Sequence, residues 1–147
     1  MFRTSQLNRN TLAMFAGLLV GIVGLVVQWI ADPAKFSEAV PPLGKAFPPG
    51  IAFIVGAALL TLLTARWWWH AVFGAFIGFW IVGVGTIAGQ LTPNLTSHNA
   101  GTVAGNAIMA VGLASAVVTG VLSMVTARRA RRTVRTAPAP ARQRQNG

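Results

Sequence analysis

The feature that most constrains this chain is a nearly continuous run of apolar residues, interrupted at only three places. Read with a window of about 19 residues, the run divides into four stretches that are long enough, or nearly long enough, to cross a bilayer. A backbone in lipid must satisfy its polar groups internally, so only helices and closed barrels span it. Barrel strands alternate apolar and polar residues, whereas these stretches are solidly apolar. The sequence therefore predicts an all-α, integral membrane four-helix bundle.

The interruptions fix the predicted organisation of the chain. Spans are expected at about residues 11–31, 50–66, 69–90 and 100–127, with outer connections at 32–49 and 91–99. Asp32-Pro33 ends the first span because the residue before a proline disfavours helical geometry. Residues 1–10 precede the bundle, and residues 128–147 form a basic tail. Its first part can continue the last helix for about two turns, and its far end has a disordered composition.

The charges predict an orientation. The chain carries 12 Lys and Arg against only two acidic residues. If four helices cross in turn, residues 1–10, Arg66 and the tail share one side and hold ten of those basic residues. The positive-inside rule then places both termini in the cytoplasm. The abundance of Arg, Ala, Gly and Val suggests a bacterial genome rich in GC, and hence a cell inner membrane.

Small residues recur three and four positions apart on single faces of the predicted spans. Such rows let helix backbones approach closely in lipid, where van der Waals contact drives association. The residues expected at helix contacts are Gly17, Gly21, Gly24, Gly74, Gly78, Gly85, Gly101, Gly105, Gly112, Ala116 and Gly120. These faces either bury themselves within one bundle or leave one row free to dock a partner or a second copy.

The polar side chains at membrane depth are neutral. Ser and Thr can bond back to their own helix, but the amide of Asn106 needs more partners than its own helix offers. Thr86 and Gln28 are its candidate partners. The residues expected to make polar contacts between helices are Gln28, Asn106, Ser115 and Thr119.

The boundaries of the spans carry aromatic and basic residues. Trp67, Trp68 and Trp69 are typical interface anchors, and Arg66 beside them is expected to face lipid phosphate. Basic residues after the last span attract anionic lipids of the inner leaflet. The residues expected to bind anionic lipid are Arg128, Arg129, Arg131, Arg132 and Arg135. Nucleic acid is a poor fit, because no aromatic residue alternates with these arginines.

The sequence contains no recognisable catalytic set. There is no Cys, no Asp, Glu, Lys or Arg lies in the interior of a span, with Arg66 at the very end of the second, and His70 and His98 are expected to be solvated rings at the interfaces. We therefore expect no metal and no cofactor. The favoured function is that of a non-catalytic accessory, assembly or structural subunit acting through helix packing.

Two alternatives remain open. The first is a small channel, transporter or pore-forming homo-oligomer, whose path would be lined by Ser115, Thr119, Ser123 and Asn106. The second is an enzyme acting on lipid at the interface, which would require Asp32, Glu38 or His98 to converge.

Overall fold

The computed structural model describes residues 8–36, 48–89 and 91–136, and within them it contains helices and no strands. A short 3-10 turn, Pro33–Phe36, follows the first helix. The helices are α1 (Arg9–Ala31), α2 (Pro49–Leu63), α3 (Val72–Ile87), α4 (Leu91–Leu95) and α5 (Ala100–Thr136). The all-α prediction is confirmed for these residues.

Local sequence signals explain where the helices begin and end. The Asn8 side chain accepts a hydrogen bond from the backbone N–H of Asn10 and so caps the start of α1. Pro49 occupies the first turn of α2, where its missing N–H costs nothing. Gly89 adopts φ +69° just after α3, a conformation that glycine supplies without strain and that stops the helix.

The helices pack antiparallel to their main neighbours. Asn10 at the start of α1 contacts Thr126 late in α5, whereas Ala31 at the end of α1 adjoins Gly101 at the start of α5. Leu25 near the end of α1 likewise adjoins Gly50 at the start of α2. The start of α1, the connection 64–71 and residues 127–136 of α5 therefore lie together, and we call this the basic end.

The core lies where α1, α3 and α5 meet. Met14, Leu18 and Leu113 are almost completely buried there. Ile54 and Ala57 of α2 belong to the same buried cluster. Small residues surround Met14, whose flexible thioether fills the irregular space that they leave.

Two of the helices are long and apolar enough to cross a membrane, judged by length and composition. These are α1, with 23 residues, and α5, with 37 residues. The other two apolar helices, α2 and α3, are shorter, and a π-helical segment, Trp80–Val84, interrupts α3.

The helix boundaries differ in detail from the predicted spans. α2 ends at Leu63 rather than near residue 66, and residues 69–71 form turns before α3 begins. α4 lies inside the connection predicted at 91–99. α5 continues without a break to Thr136. This agrees with the prediction that the first part of the basic tail extends the last helix. Residues 1–7, 37–47 and 137–147, to which the rest of the terminal and outer-loop predictions refer, lie outside the described residues.

Candidate functional site

The closest contact between helices is the crossing of α1 and α5, which is formed by glycines from both sides. A Cβ atom added at Gly17 would lie 2.7 Å from the carbonyl oxygen of Gly112, and one added at Gly105 would lie 2.7 Å from that of Gly24. Real Cβ atoms do not approach backbone so closely. The two backbones therefore touch along a seam of Gly17, Gly21, Gly24, Gly105 and Gly112, with Gly101 extending it to Ala31.

The remaining small residues pack α3 onto this pair. Gly78 adjoins the carbonyl oxygen of Leu113, and Gly120 adjoins Ala75 and Met14. Gly74 faces the Met14 side chain, and Ala116 is fully buried. Gly85 differs from the others, because it contacts Leu91 of α4 rather than another long helix.

A buried polar cluster lies at the basic end. The Thr11 hydroxyl is 2.6 Å from the Ser123 hydroxyl and 3.1 Å from Nε2 of His70. The other ring nitrogen of His70, Nδ1, lies 2.8 Å from the carbonyl oxygen of Trp67. Thr11 and Ser123 are fully buried, and His70 is 7% exposed. The cluster thus joins α1, α5 and the connection between α2 and α3.

The carbonyl of Trp67 determines the direction of these hydrogen bonds. A carbonyl can only accept, so Nδ1 of His70 carries a proton and donates it. In a neutral ring Nε2 then accepts from the Thr11 hydroxyl, which in turn accepts from Ser123. Each of the three side chains therefore has a partner inside the protein.

The connection 64–71 is fixed to α5 by two further contacts. Nη2 of Arg131 donates a hydrogen bond of 2.8 Å to the carbonyl oxygen of Arg66. The guanidinium carbon of Arg128 lies 5.5 Å from the centre of the Trp68 ring, within range of a cation–π interaction. Trp67 and Trp69 stack on each other, with ring centres 4.9 Å apart. Trp67 and Trp68 remain largely exposed.

The arginines predicted to bind anionic lipid all belong to the last turns of α5. Their side chains are exposed, as is that of Arg66, and each lies at the basic end. Within the described residues the acidic side chain is Asp32, which caps the far end of α1.

At the opposite end, two of the predicted polar residues contact partners outside their own helix. Nε2 of Gln28 lies 3.8 Å from the Met109 sulfur, and Nδ2 of Asn106 donates to the carbonyl oxygen of Leu91 at 3.4 Å. The two amides therefore do not pair with each other. Thr86, the other candidate partner of Asn106, instead bonds to the carbonyl of Val82 in its own helix.

Ser115 and Thr119 make hydrogen bonds within α5 only. Ser115 donates to Gly112 at 2.7 Å, and Thr119 donates to Ser115 at 2.7 Å. Ser115 is exposed on the side of the α1 contact. With Ser123 and Asn106 buried in contacts of their own, the four residues of the pore hypothesis have different surroundings.

Three residues that make these contacts between elements are not predicted by the sequence. His70 was expected to be a solvated interface ring, and this is wrong, because the ring is buried and hydrogen-bonded at both nitrogens. The sequence predicts Thr11 at the edge of a span and Asn99 in a connection. Asn99 in fact caps α5 through Gly101 and Thr102 and donates to the carbonyl of Ala31. His98 is exposed, as expected.

Comparison of the chain with protein-family models, curated proteins and solved structures gave no match.

Proposed function

We propose that this chain is a small multi-pass protein of a bacterial inner membrane that crosses the bilayer four times and keeps both termini in the cytoplasm. In this proposal it acts without catalysis, as an accessory, assembly or structural subunit whose contribution is helix packing.

The observation that carries the proposal is the apolar outer surface of the four apolar helices α1, α2, α3 and α5. Large hydrophobic side chains are exposed on all four of them, and they include Leu19, Ile30, Phe53, Leu63, Phe76, Phe79, Ile87, Val111 and Val118. A soluble protein rarely exposes apolar area on this scale. Lipid is the surrounding that such a surface fits, including the surface of the shorter helices α2 and α3.

The basic end supports the orientation. Arg9, Arg66 and the arginines of α5 lie at the same end of the described structure. An even number of crossings gives that arrangement, and the positive-inside rule favours the cytoplasm for that end.

The way the polar side chains are used supports a packing role. Thr11, Ser123 and His70 bond to one another, and Ser115 and Thr119 bond to their own helix. By contrast, α5 keeps one side turned away from α1 and α3. That side is smooth and apolar, with exposed residues Ala107, Val111, Ala114, Val118 and Val121. We propose that a partner helix takes the place of lipid along this one face.

Topology is tested by single cysteines, because the natural chain has none. A membrane-impermeant maleimide should label His98→Cys in intact cells, whereas Thr133→Cys and Arg66→Cys should react only after lysis. Labelling of Arg66→Cys from outside with Thr133→Cys still protected would mean that fewer than four helices cross, and labelling of both would mean an inverted orientation. Either result would overturn the proposed topology.

The subunit role is tested by purification from native membranes in mild detergent. We expect a stoichiometric partner that is lost in Ala114→Leu, where the larger side chain projects from the proposed docking face. Ala52→Leu makes the same change at an exposed position of α2 and should retain the partner. If both variants behave alike, the α5 face is not the docking surface.

A homo-oligomer without a foreign partner would instead support the pore. In that case Ser115→Val should abolish ion or solute flux in liposomes, and the accessory role would be abandoned.

A further inference from the structure

A groove of about 820 Å³ lies at the basic end, between the connection 64–71 and the last turns of α5. Trp68 forms one side, and Arg128, Arg131, Arg132 and Arg135 contribute to the other. Those four arginines are spaced three, one and three residues apart, which places them within an arc of about 100° on one side of the helix. Arg129 falls about 160° away from Arg131 around the helix axis, and it does not line the groove.

The groove is held in shape by contacts on both sides of it. Arg131 donates one hydrogen bond to the carbonyl of Arg66, and Arg128 lies over the Trp68 ring. A guanidinium has five N–H donors, so Arg131 keeps donors that are not used by Arg66. The arginines are therefore more than a diffuse charged tail, because two of them are oriented by the connection.

These arginines line one groove without a described carboxylate beside them. Like charges three and four residues apart destabilise a helix, and five arginines fall between residues 128 and 135. The C-terminal end of the helix dipole offsets part of that repulsion. An external anion with several acceptor oxygens would satisfy the remaining donors, and phosphate is the group that guanidinium forks recognise best.

The surroundings of the groove distinguish the source of that phosphate. Trp68 and Val134 line the groove and are exposed. Trp67 and Leu63 line a separate pocket with Arg66 in the same stretch of chain and are exposed as well. A ligand that carries phosphate next to hydrocarbon fits such a rim. This step rests on the proposed membrane embedding, which brings Leu63 and the tryptophans to the headgroup region.

We propose that this groove is a binding site for the headgroup phosphate of an anionic glycerophospholipid, oriented by Trp68, Arg128 and Arg131. Arg132 and Arg135 add charge on the same face. Binding there would attach the end of α5 to the inner leaflet and to the connection between α2 and α3 at the same time. The position of each arginine matters in this site, and the number of charges alone does not determine binding.

The test uses the full chain in a non-ionic detergent and phosphatidylglycerol as the probe, with bound lipid counted by native mass spectrometry. Arg131→Gln and Trp68→Ala should each weaken phosphatidylglycerol binding by about tenfold, the loss expected for one or two charge-assisted contacts. Arg129→Gln removes the same charge from the same helix turn and should change binding by less than about twofold. Circular dichroism verifies that the variants stay folded.

Three outcomes would overturn the proposal. Equal losses in Arg129→Gln and Arg131→Gln would mean a diffuse field without a site. Competition by inorganic phosphate at equal affinity would mean that the lipid part is irrelevant. Tighter binding of a single-stranded RNA oligomer would assign the groove to nucleic acid. If the lipid-binding test fails but cysteine labelling still indicates four crossings, only the lipid site is refuted. If the labelling contradicts four crossings, the membrane embedding on which the site rests is refuted as well.

Discussion

At the scale of single residues, Thr11 and Thr102 form a natural pair for comparison. Both are threonines with no exposed surface. The hydroxyl of Thr11 is bonded to Ser123 and His70, whereas that of Thr102 has no hydrogen-bond partner among the described residues. The same chemical change should therefore have opposite effects at the two positions.

Thr11→Val should lower the free energy of unfolding by about 1–2 kcal/mol, because it leaves two buried partners unsatisfied. Thr102→Val should raise it by up to about 1 kcal/mol, because a valine of the same shape no longer buries an unpaired hydroxyl. Reversible chemical unfolding in detergent measures both values. Thr119→Val, whose hydroxyl bonds only within α5, should have little effect. A loss in Thr102→Val as large as that in Thr11→Val would contradict the assignment.

The polar cluster also shows what a sequence can reveal about single residues. The position of His70 beside three tryptophans indicates an interface, but it does not say whether the ring points to water or inward. That depends on Thr11 and Ser123, which are 112 residues apart and meet only because α1 and α5 are antiparallel. The sequence signal that could have predicted this contact is the presence of small polar residues, Thr11 and Ser123, at the ends of two spans that meet when the spans are antiparallel.

At the scale of helices, the seam between α1 and α5 was accessible from the sequence, because spacing alone places its glycines on one face. The sequence does not show which row of glycines faces which neighbouring helix. The glycines of α3 share their spacing, yet Gly74 faces a methionine side chain and Gly85 faces α4. The π-helical segment Trp80–Val84 was also missed, since nothing as obvious as a proline marks it.

The seam leads to a second prediction, based on alanine substitutions. Gly24→Ala would place its Cβ 2.6 Å from the carbonyl oxygen of Gly105, so the backbones of α1 and α5 must separate. We expect a loss of about 1–3 kcal/mol, as for overpacking in a core. The nearest atoms to a Cβ in Gly74→Ala belong to the flexible Met14 side chain, which can move, so this change should cost less. Gly56→Ala meets nothing within 4 Å and should be neutral or stabilising, because alanine favours helix by about 1 kcal/mol.

Thermal unfolding of the three variants in the same detergent gives the order of stability. If Gly24→Ala is as stable as Gly56→Ala, the helices do not touch at this crossing.

A third prediction concerns the start of α5. Asn99 accepts hydrogen bonds from the N–H groups of Gly101 and Thr102 and donates one of 3.0 Å to the carbonyl oxygen of Ala31. Asn99→Ala removes the cap and the link to α1, and should cost about 1–2 kcal/mol. Asn99→Asp keeps the side-chain oxygen that accepts both N–H bonds and adds a favourable charge at the helix start. It loses only the donor to Ala31, so it should cost less than the alanine change. Hydrogen exchange at the amides of Gly101 and Thr102 should accelerate in the alanine variant, and unchanged exchange would rule out the cap.

At the scale of the whole molecule, hydropathy alone predicts four apolar segments, and α1, α2, α3 and α5 occupy them. Their lengths are unequal, as the unequal predicted spans at 50–66 and 100–127 indicate. α2 has 15 residues, or about 22 Å at the usual helical rise, whereas a typical hydrocarbon core is about 30 Å thick. The unequal lengths have a consequence if all four helices cross the bilayer as proposed.

A long helix can adapt to a thin bilayer by tilting, but a short helix cannot lengthen to match a thick one. The molecule should therefore be most stable in thin bilayers. In phosphatidylcholine nanodiscs with acyl chains of about 14 to 22 carbons, the unfolding temperature should be highest at the short end and fall as the chains lengthen, because mismatch costs a fraction of a kcal/mol per Å. The same preparation in detergent micelles supplies the reference stability. A maximum in the thickest bilayers would mean that α2 does not cross, since only the longer helices α1 and α5 would then set the preferred thickness.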